Sequence, residues 1–431
     1  MSISATSSSS ERALHRQAAL AEVHIAALPF PTPQGTQAAL RFMLQAAART
    51  AGAPVCLHTY GACGPLPPLP FAVHQPASRC ALRPPVHSGP GLRKLALDLQ
   101  LSLTLRRRYR RPCPAGPSRV FVAHHVEAAW ACLLAGLRPH IFVAHTDLIA
   151  ELPCYFPPRV RRSAAHLGRR IDQVATWRAL SLAAISPLLQ RRWSKRHGRP
   201  VHYLPIVWPE APPAPPELGP QTRQRLGLRR AQPLWLYAGN LDGYQGWSAL
   251  IEALACSRKP PEGTAPVLLV LTASPSAALW QCAARAGVAH RLRVLPLRGE
   301  TSRQSAYAAA DVVLVPRLAP GGLPVKLLDA LARGKPTVTM RRACAGLPLR
   351  AYAEVTDNNA PALATAALQV GQSMAQQQTL AQQGPRWIRT AHSAAAYRKA
   401  WLALLSGVLK GRQACQSSLR PPPSRPARIR K

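Results

Sequence analysis

Acidic residues are scarce in this chain. Its 431 residues include 17 Asp plus Glu against 55 Lys plus Arg, a formal charge of +38. Such a balance points to an anionic partner: nucleic acid, an acidic membrane surface or a phosphorylated substrate. Arginine bias accounts for Arg in place of Lys, but not for the shortage of acids. None of the ten cysteines pairs with another at C-x-x-C spacing, so neither a zinc nor a redox motif is supported, and scattered thiols fit a reducing compartment. No Asp-x-Asp metal motif occurs. No zinc finger, RNP aromatic motif or basic-region heptad is present, so no specific nucleic-acid partner is expected. The opening MSISATSSSSERALHRQ lacks the apolar core of a signal peptide. No apolar run is long enough to span a bilayer. The expectation is a cytoplasmic protein, with the inner face of the membrane as a peripheral docking surface.

What is present is a globular composition, 47% hydrophobic, over a length sufficient for two domains. Short apolar runs alternate with helix-like stretches, the pattern of a parallel sheet covered by helices. The first half reads as strands at Val23–Phe30, Pro54–Tyr60, Val120–His124, Ile141–His145, Leu182–Ile185 and Val201–Ile206, with helices over Thr36–Thr50 and Glu127–Leu137. Residues 61–90, rich in Pro and Gly, read as irregular loop. Leu95–Leu105 (LALDLQLSLTL) alternates like a strand, but Leu favours helix and parallel strands need crossover helices, so a helix is expected there. It runs into RRRYRR (Arg106–Arg111).

The Pro-rich PEAPPAPPELGP at Pro209–Pro220 punctuates the chain, and the pattern then repeats. Strands are expected at Leu234–Tyr237, Val267–Leu271, Leu292–Pro296, Val312–Val315 and Thr337–Thr339. Helices are expected at Trp247–Ala255, Ser276–Ala286, Arg303–Ala310 and Val325–Arg333. Tyr397, Trp401, Leu404, Leu405 and Val408 share one helical face. The organisation read from this is a disordered lead (1–20), an N-terminal Rossmann-like domain (21–208), a linker (209–222), a C-terminal domain (223–384), a terminal helix (385–410) and a basic disordered tail (411–431).

Two stretches carry chemistry. In LYAGNLDGYQGWSALIEAL (Leu236–Leu254) a strand passes through a Gly-containing turn into a helix. Gly239, Gly243 and Gly246 permit close backbone approach, and the helix start offers N–H groups to an anion. In YAAADVVLVPRLAPGGLPVKLLDALARGKPTVTM (Tyr307–Met340) a strand ends in a Pro/Gly-rich loop, and a helix begins near Pro324. Lys326 falls in the first turn, where its charge opposes the helix dipole unless an anion shares the site. Asp329 lies one turn on, and Gly334 closes the helix. A phosphate-bearing ligand between Gly239 and Lys326 is the expectation.

The order strand, GNLDGYQG, helix, then AAADVVLVPR…GGLPVKLLDALARGKP resembles the C-terminal domain of retaining glycosyltransferases of the GT-B fold, family 4. The likeness extends over roughly residues 22–409. It implies an α/β architecture of two doubly wound Rossmann-like domains facing across a cleft, and transfer of a sugar from a nucleotide-sugar donor to a saccharide or lipid-linked acceptor. The nucleotide sugar is a co-substrate, so no cofactor is implied. Gly239, Asn240, Gln245, Gly322, Leu323 and Pro324 would line the donor site, with Asp329 where the family binds ribose. PFPTPQG (Pro29–Gly35) resembles the loop after the family's first strand, where Gly35 would approach the ligands. His145, at the end of VFVAHHVEAAW…IFVAHTD, matches the family's cleft histidine, which contacts the donor sugar; His124 and His125 are secondary candidates. Glu127 and Glu151 read as helix-start carboxylates.

Departures are visible. Asn240 and Gln245 stand where the family often has Arg and Lys, and the family's paired acids would begin at Gly321 and end at Asp329. Three roles are open at this point: a glycosyltransferase in which His145, Lys326 and Asp329 are catalytic, a catalytically weakened GT-B-fold binding or partner protein, and a basic nucleic-acid binder. With cations and helix N-termini stabilising the leaving diphosphate, no metal is required. The Leu-rich stretch ending in LRRRYRR would present a basic amphipathic surface to anionic lipid.

Overall fold

The computed structural model describes residues 20–31, 35–49, 54–61, 66–76, 89, 91–110, 118–229, 231–257, 265–317 and 322–417, the last seven by backbone alone. The Ser-rich lead up to residue 19, Arg111, Gly321 and the tail from 418 lie outside the described residues.

Seven parallel strands form the N-terminal sheet: β1 (Leu20–Ala26), β2 (Val55–His58), β3 (Ala72–His74), β4 (Ser118–His124), β5 (Ile141–Ala144), β6 (Ser181–Ala184) and β7 (Val201–Tyr203). Their order is β3-β2-β1-β4-β5-β6-β7. Six more form the second sheet: β8 (Leu234–Ala238), β9 (Val267–Thr272), β10 (Leu292–Pro296), β11 (Val312–Val315), β12 (Thr337–Met340) and β13 (Glu354–Thr356), in the order β10-β9-β8-β11-β12-β13. Every pairing is parallel. Strands buried on both faces, such as β9 (VLLVLT), read as unbroken apolar runs. In each sheet the strand order reverses once, between β1 and β4 and between β8 and β11. Crevices at the carboxyl ends of such strand pairs are where ligands bind in open α/β sheets. This is the doubly wound two-domain architecture of the GT-B fold.

Several expected elements shift. β1 starts three residues before Val23 and ends at Ala26. β3 adds a parallel edge strand within the Pro/Gly-rich stretch. Helices over Arg161–Trp177 and Pro187–His197 complete the N-terminal domain and were not read from the sequence. LALDLQLSLTL lies within a helix, Leu92–Tyr109, as the crossover argument requires. Its buried face is narrow, carrying Leu101, Ser102 and Leu105.

The helix Ala394–Ser417 crosses back to the N-terminal domain and packs against the helix Gly35–Ala48. Tyr397, Trp401, Leu404, Leu405 and Val408 are all buried there. Nearby, His392 Nδ1 lies 2.7 Å from the Ile206 carbonyl, and Trp208 N–H donates to the His392 carbonyl at 2.9 Å. The core around these residues draws apolar side chains from both domains.

Candidate functional site

The turn after β8 brings a glycine against a cation. A Cβ added at Gly239 would stand 2.8 Å from Lys326 Nζ. Lys326 Nζ donates to the Tyr237 hydroxyl at 2.6 Å and lies 4.0 Å from that ring's centroid. The Tyr237 hydroxyl in turn donates to the Asn240 carbonyl at 2.6 Å. Lys326 occupies the first turn of the helix Val325–Ala332, whose N-cap is Pro324. Among the described residues it has no carboxylate partner within ion-pair distance. Burial, reinforced by the charge of Arg317, holds its pKa well below the ordinary lysine value.

Arg317, two residues beyond β11, is the second cation of this wall. It is buried, and its guanidinium carbon lies 5.4 Å from the Tyr244 ring centroid. Burial lowers its pKa as well. Two cations thus share one desolvated crevice at the β8/β11 reversal. Gln245, in the turn Gly243–Gln245, has a buried Oε1 with no hydrogen-bond partner among the described residues. Asn240 Nδ2 donates to Asp242 at 2.6 Å. Asp329 faces other partners: Arg333 Nε donates to it at 3.0 Å, Arg303 is 3.6 Å away, and Arg333 also pairs with Glu300.

The N-terminal wall closes directly onto this one. A Cβ on Gly322 would fall 1.9 Å from the His145 carbonyl oxygen, so only glycine permits the approach. A Cβ on Gly35, which opens the helix Gly35–Ala48, would sit 3.3 Å from Val325 Cβ. Leu323 is buried beside them. Further along, the Tyr155 and Tyr244 rings meet across the cleft with centroids 6.4 Å apart. The expected cleft residues Gly35, His145, Gly239, Gly322 and Lys326 therefore stand on facing walls.

His145 is buried at the end of β5, and burial together with the charge of His125 lowers its pKa to about 3. Its Nε2 is 3.1 Å from His124 Nδ1. His125 takes a left-handed conformation, φ 71°, which is strained for a residue with a Cβ. That backbone turns its ring toward Glu127 and Thr146. Burial disfavours its charge, but Glu127 outweighs this and raises its pKa; Glu127, also bridged to Lys94, is held well below the usual carboxylate range. Glu127 is thus an engaged ion-pair partner at a helix start.

Sequence reasoning missed Arg317, Tyr237 and Tyr244. The only signal for Arg317 was a cation at a strand end (VLVPR), which a chain this basic makes unremarkable. It also missed Cys56, His58 and His74, whose potential ligand atoms lie within 4.8 Å of one another on β2 and β3. That donor set could hold a metal, but Arg108 and Arg119 line the same roughly 400 Å³ cavity and oppose a cation. It lies at the sheet edge on β2 and β3, away from the β8/β11 crevice.

Three solved structures share the arrangement. Sucrose-phosphate synthase from Thermosynechococcus elongatus has a TM-score of 0.69 at 15% identity, covering 92% of this chain and 100% of that one. WaaG, a glycosyltransferase involved in lipopolysaccharide biosynthesis, has a TM-score of 0.65 at 18% identity, covering 89% and 99%. Anabaena HepE, in complex with UDP and glucose, has a TM-score of 0.61 at 15% identity, covering 93% and 100%. No curated protein matches the sequence. Residues 232–373, the segment that holds Gly239, Arg317 and Lys326, match the family glycosyl transferases group 1.

Proposed function

We propose that the chain is a retaining glycosyltransferase that moves a sugar from a nucleotide-sugar donor to a saccharide or lipid-linked acceptor. The observation that carries this reading is Lys326, buried against Gly239 in the first turn of the helix Val325–Ala332 with no carboxylate partner among the described residues. A desolvated lysine at a helix start, with a second buried cation, Arg317, beside it, suits an anion, and a nucleoside diphosphate supplies one. Arg317 replaces the cations absent at Asn240 and Gln245. Gly239 lets the diphosphate approach the backbone, and the N–H groups at the start of the helix Val325–Ala332 face it. As the sugar–phosphate bond breaks, Lys326 and Arg317 stabilise the charge left on the diphosphate. This positive charge comes from side chains, so EDTA is expected to leave the rate unchanged. Asp329, clamped by Arg333 and Arg303, is the ribose-side carboxylate, and Gln245 Oε1 is a further acceptor for the donor. His145 reaches the sugar from the opposite wall. The opposed walls exclude water and favour transfer over hydrolysis.

A lipid-linked acceptor is supported by the outer layer of the N-terminal domain. The helix Leu92–Tyr109 exposes Leu92, Leu95, Leu99 and Leu103, the first at 87%, beside Arg106, Arg107 and Arg108. The helix Arg161–Trp177 exposes Leu167, Val174 and Trp177 among further arginines. Among the described residues no helix is long and apolar enough to cross a membrane. An apolar stripe flanked by cations suits an anionic membrane surface, and cytoplasmic residence at that face follows from this reading. Screening UDP-, GDP- and ADP-sugars for thermal stabilisation and turnover tests the reading. Donor binding without turnover would instead favour a GT-B-fold binding protein, and no stabilisation by any donor would refute both.

A further inference from the structure

Four buried polar side chains form one hydrogen-bonded chain through the middle of the N-terminal sheet. Glu22 and His24 stand two residues apart on β1 and so share a face. Trp401 Nε1 donates to Glu22 at 3.1 Å, and Glu22 Oε2 lies 3.1 Å from His24 Nε2. His24 Nδ1 is 2.9 Å from His124 Nε2, and His124 Nδ1 is 3.1 Å from His145 Nε2. None of the four is more than 5% exposed. His145 Nδ1 has no hydrogen-bond partner among the described residues.

Central strands of a parallel sheet are ordinarily apolar. Replacing buried polar networks by packed apolar residues is often neutral or stabilising, so stability alone does not call for three imidazoles here. The chain also has a direction. An ionised carboxylate only accepts hydrogen bonds, and a neutral imidazole donates from one nitrogen and accepts at the other. With Glu22 accepting, His24 carries its hydrogen on Nε2 and accepts at Nδ1. His124 must then donate from Nε2, and His145 must donate from Nε2 to His124 Nδ1. That leaves a lone pair on His145 Nδ1, the end of the chain at the cleft.

We propose that Glu22, His24 and His124 are positioning residues for His145, fixing which of its nitrogens carries hydrogen and giving a proton that His145 takes up a path along the chain towards Glu22. The proton balance is simple. A proton arriving at His145 Nδ1 sends the Nε2 proton to His124 Nδ1, and the His124 Nε2 proton passes to His24 Nδ1. His24 then holds both of its hydrogens beside Glu22, and His145 presents Nδ1–H to the cleft. Burial and the flanking imidazoles keep His124 well below the ordinary histidine range, so neither it nor His145 retains the added charge. Other titratable groups facing the chain are His125, beside His145, and Tyr397, beside Glu22.

The relay's role in turnover rests on the glycosyltransferase reading; its tautomer order does not. Histidine ¹⁵N NMR of the full chain, assigned with His145→Gln and His124→Gln, reads that order directly. Expected at neutral pH are an unprotonated His145 Nδ1 and a protonated Nε2, with His24 and His124 each carrying hydrogen on Nε2. Glu22→Gln removes the charge that orients the chain, and the His145 pattern becomes mixed. Trp401→Phe removes one donor but keeps the charge, and the pattern stays. A protonated Nδ1 in the wild type, or an unchanged pattern in Glu22→Gln, overturns the relay. Where the wild type turns over a donor, Glu22→Gln should lower kcat about 10- to 1000-fold and shift its pH profile, with KM changed less than about threefold; an unchanged profile overturns the relay's catalytic part. A wild type inert with every donor overturns the glycosyltransferase reading, while the spectra still decide the tautomer order.

Discussion

Replacing Lys326 by methionine should move donor binding and intrinsic stability in opposite directions. The ammonium is buried, is bonded to the Tyr237 hydroxyl rather than to a carboxylate, and shares its crevice with Arg317. A hydrogen bond to a charged group contributes about 1.5–3 kcal/mol, so its loss weakens donor binding about 10- to 150-fold. At a donor concentration of 100 times the wild-type Kd, ligand-linked stabilisation is about 2.7 kcal/mol. A 100-fold weaker variant retains only about 0.4 kcal/mol of it. The donor-free protein should change the other way, because methionine fills a similar volume without desolvating a charge. A gain of about 1–2 kcal/mol corresponds to about 2–8 °C in Tm for a domain of this size. The pH dependence has a definite sign. The folded-state pKa is depressed, so between it and the ordinary lysine value the unfolded chain binds more protons, and wild-type stability rises with pH across that window. That slope should be missing in the variant. Differential scanning fluorimetry with and without donor measures all three effects. A variant that keeps the full donor-induced shift and gains no intrinsic stability would refute the assignment of Lys326 to an anion site.

Four further outcomes are expected. Arg317→Met should weaken the same donor by a similar factor, and the double variant with Lys326→Met should show non-additive loss in a double-mutant cycle, since both cations face one anion. Gly322→Ala places a methyl group against the His145 carbonyl, so the walls must separate; small-angle scattering should show a larger radius of gyration and titration a weaker donor. Trp401→Ala opens a cavity in the shared core and should cost about 3–5 kcal/mol in denaturant unfolding. His145, with its folded pKa lowered to about 3, is kept neutral while the unfolded chain protonates near pH 6.5. Stability should therefore fall as pH drops from about 6.5 towards 3, and His145→Gln should flatten that fall in pH-dependent melting.

The two-sheet fold was legible because both sheets are parallel and covered on both faces, which turns each strand into a bounded apolar run. β9 and β11 are of this kind. β3 was not, because its three residues lie on an edge within Pro-rich sequence and depend on pairing with β2. Lys326 and Gly239 could be singled out because local rules make them conspicuous: a cation at a helix start and a glycine after a strand. Arg317 obeys no such rule. The chain Glu22–His24–His124–His145 was hidden for a different reason. Its members are adjacent only through the register of β1, β4 and β5, which places Ala26 opposite His124 and His124 opposite Val143. One sequence does not reveal which strands become neighbours. The exposed leucines of Leu92–Tyr109 show the reverse: their alternation was visible, but which of them the core would take was set by the helices beneath.

The helix Ala394–Ser417 has a consequence for biosynthesis. A chain leaving the ribosome delivers β1 to β7 long before Tyr397, Trp401 and Leu404 exist to cover the helix Gly35–Ala48. Until they arrive, the N-terminal domain displays an uncovered apolar face, and the Glu22 carboxylate lacks its indole donor. Folding of the first half is thus finished only when the helix Ala394–Ser417 has been translated, an order that exposes the nascent protein to aggregation and favours chaperone capture during synthesis.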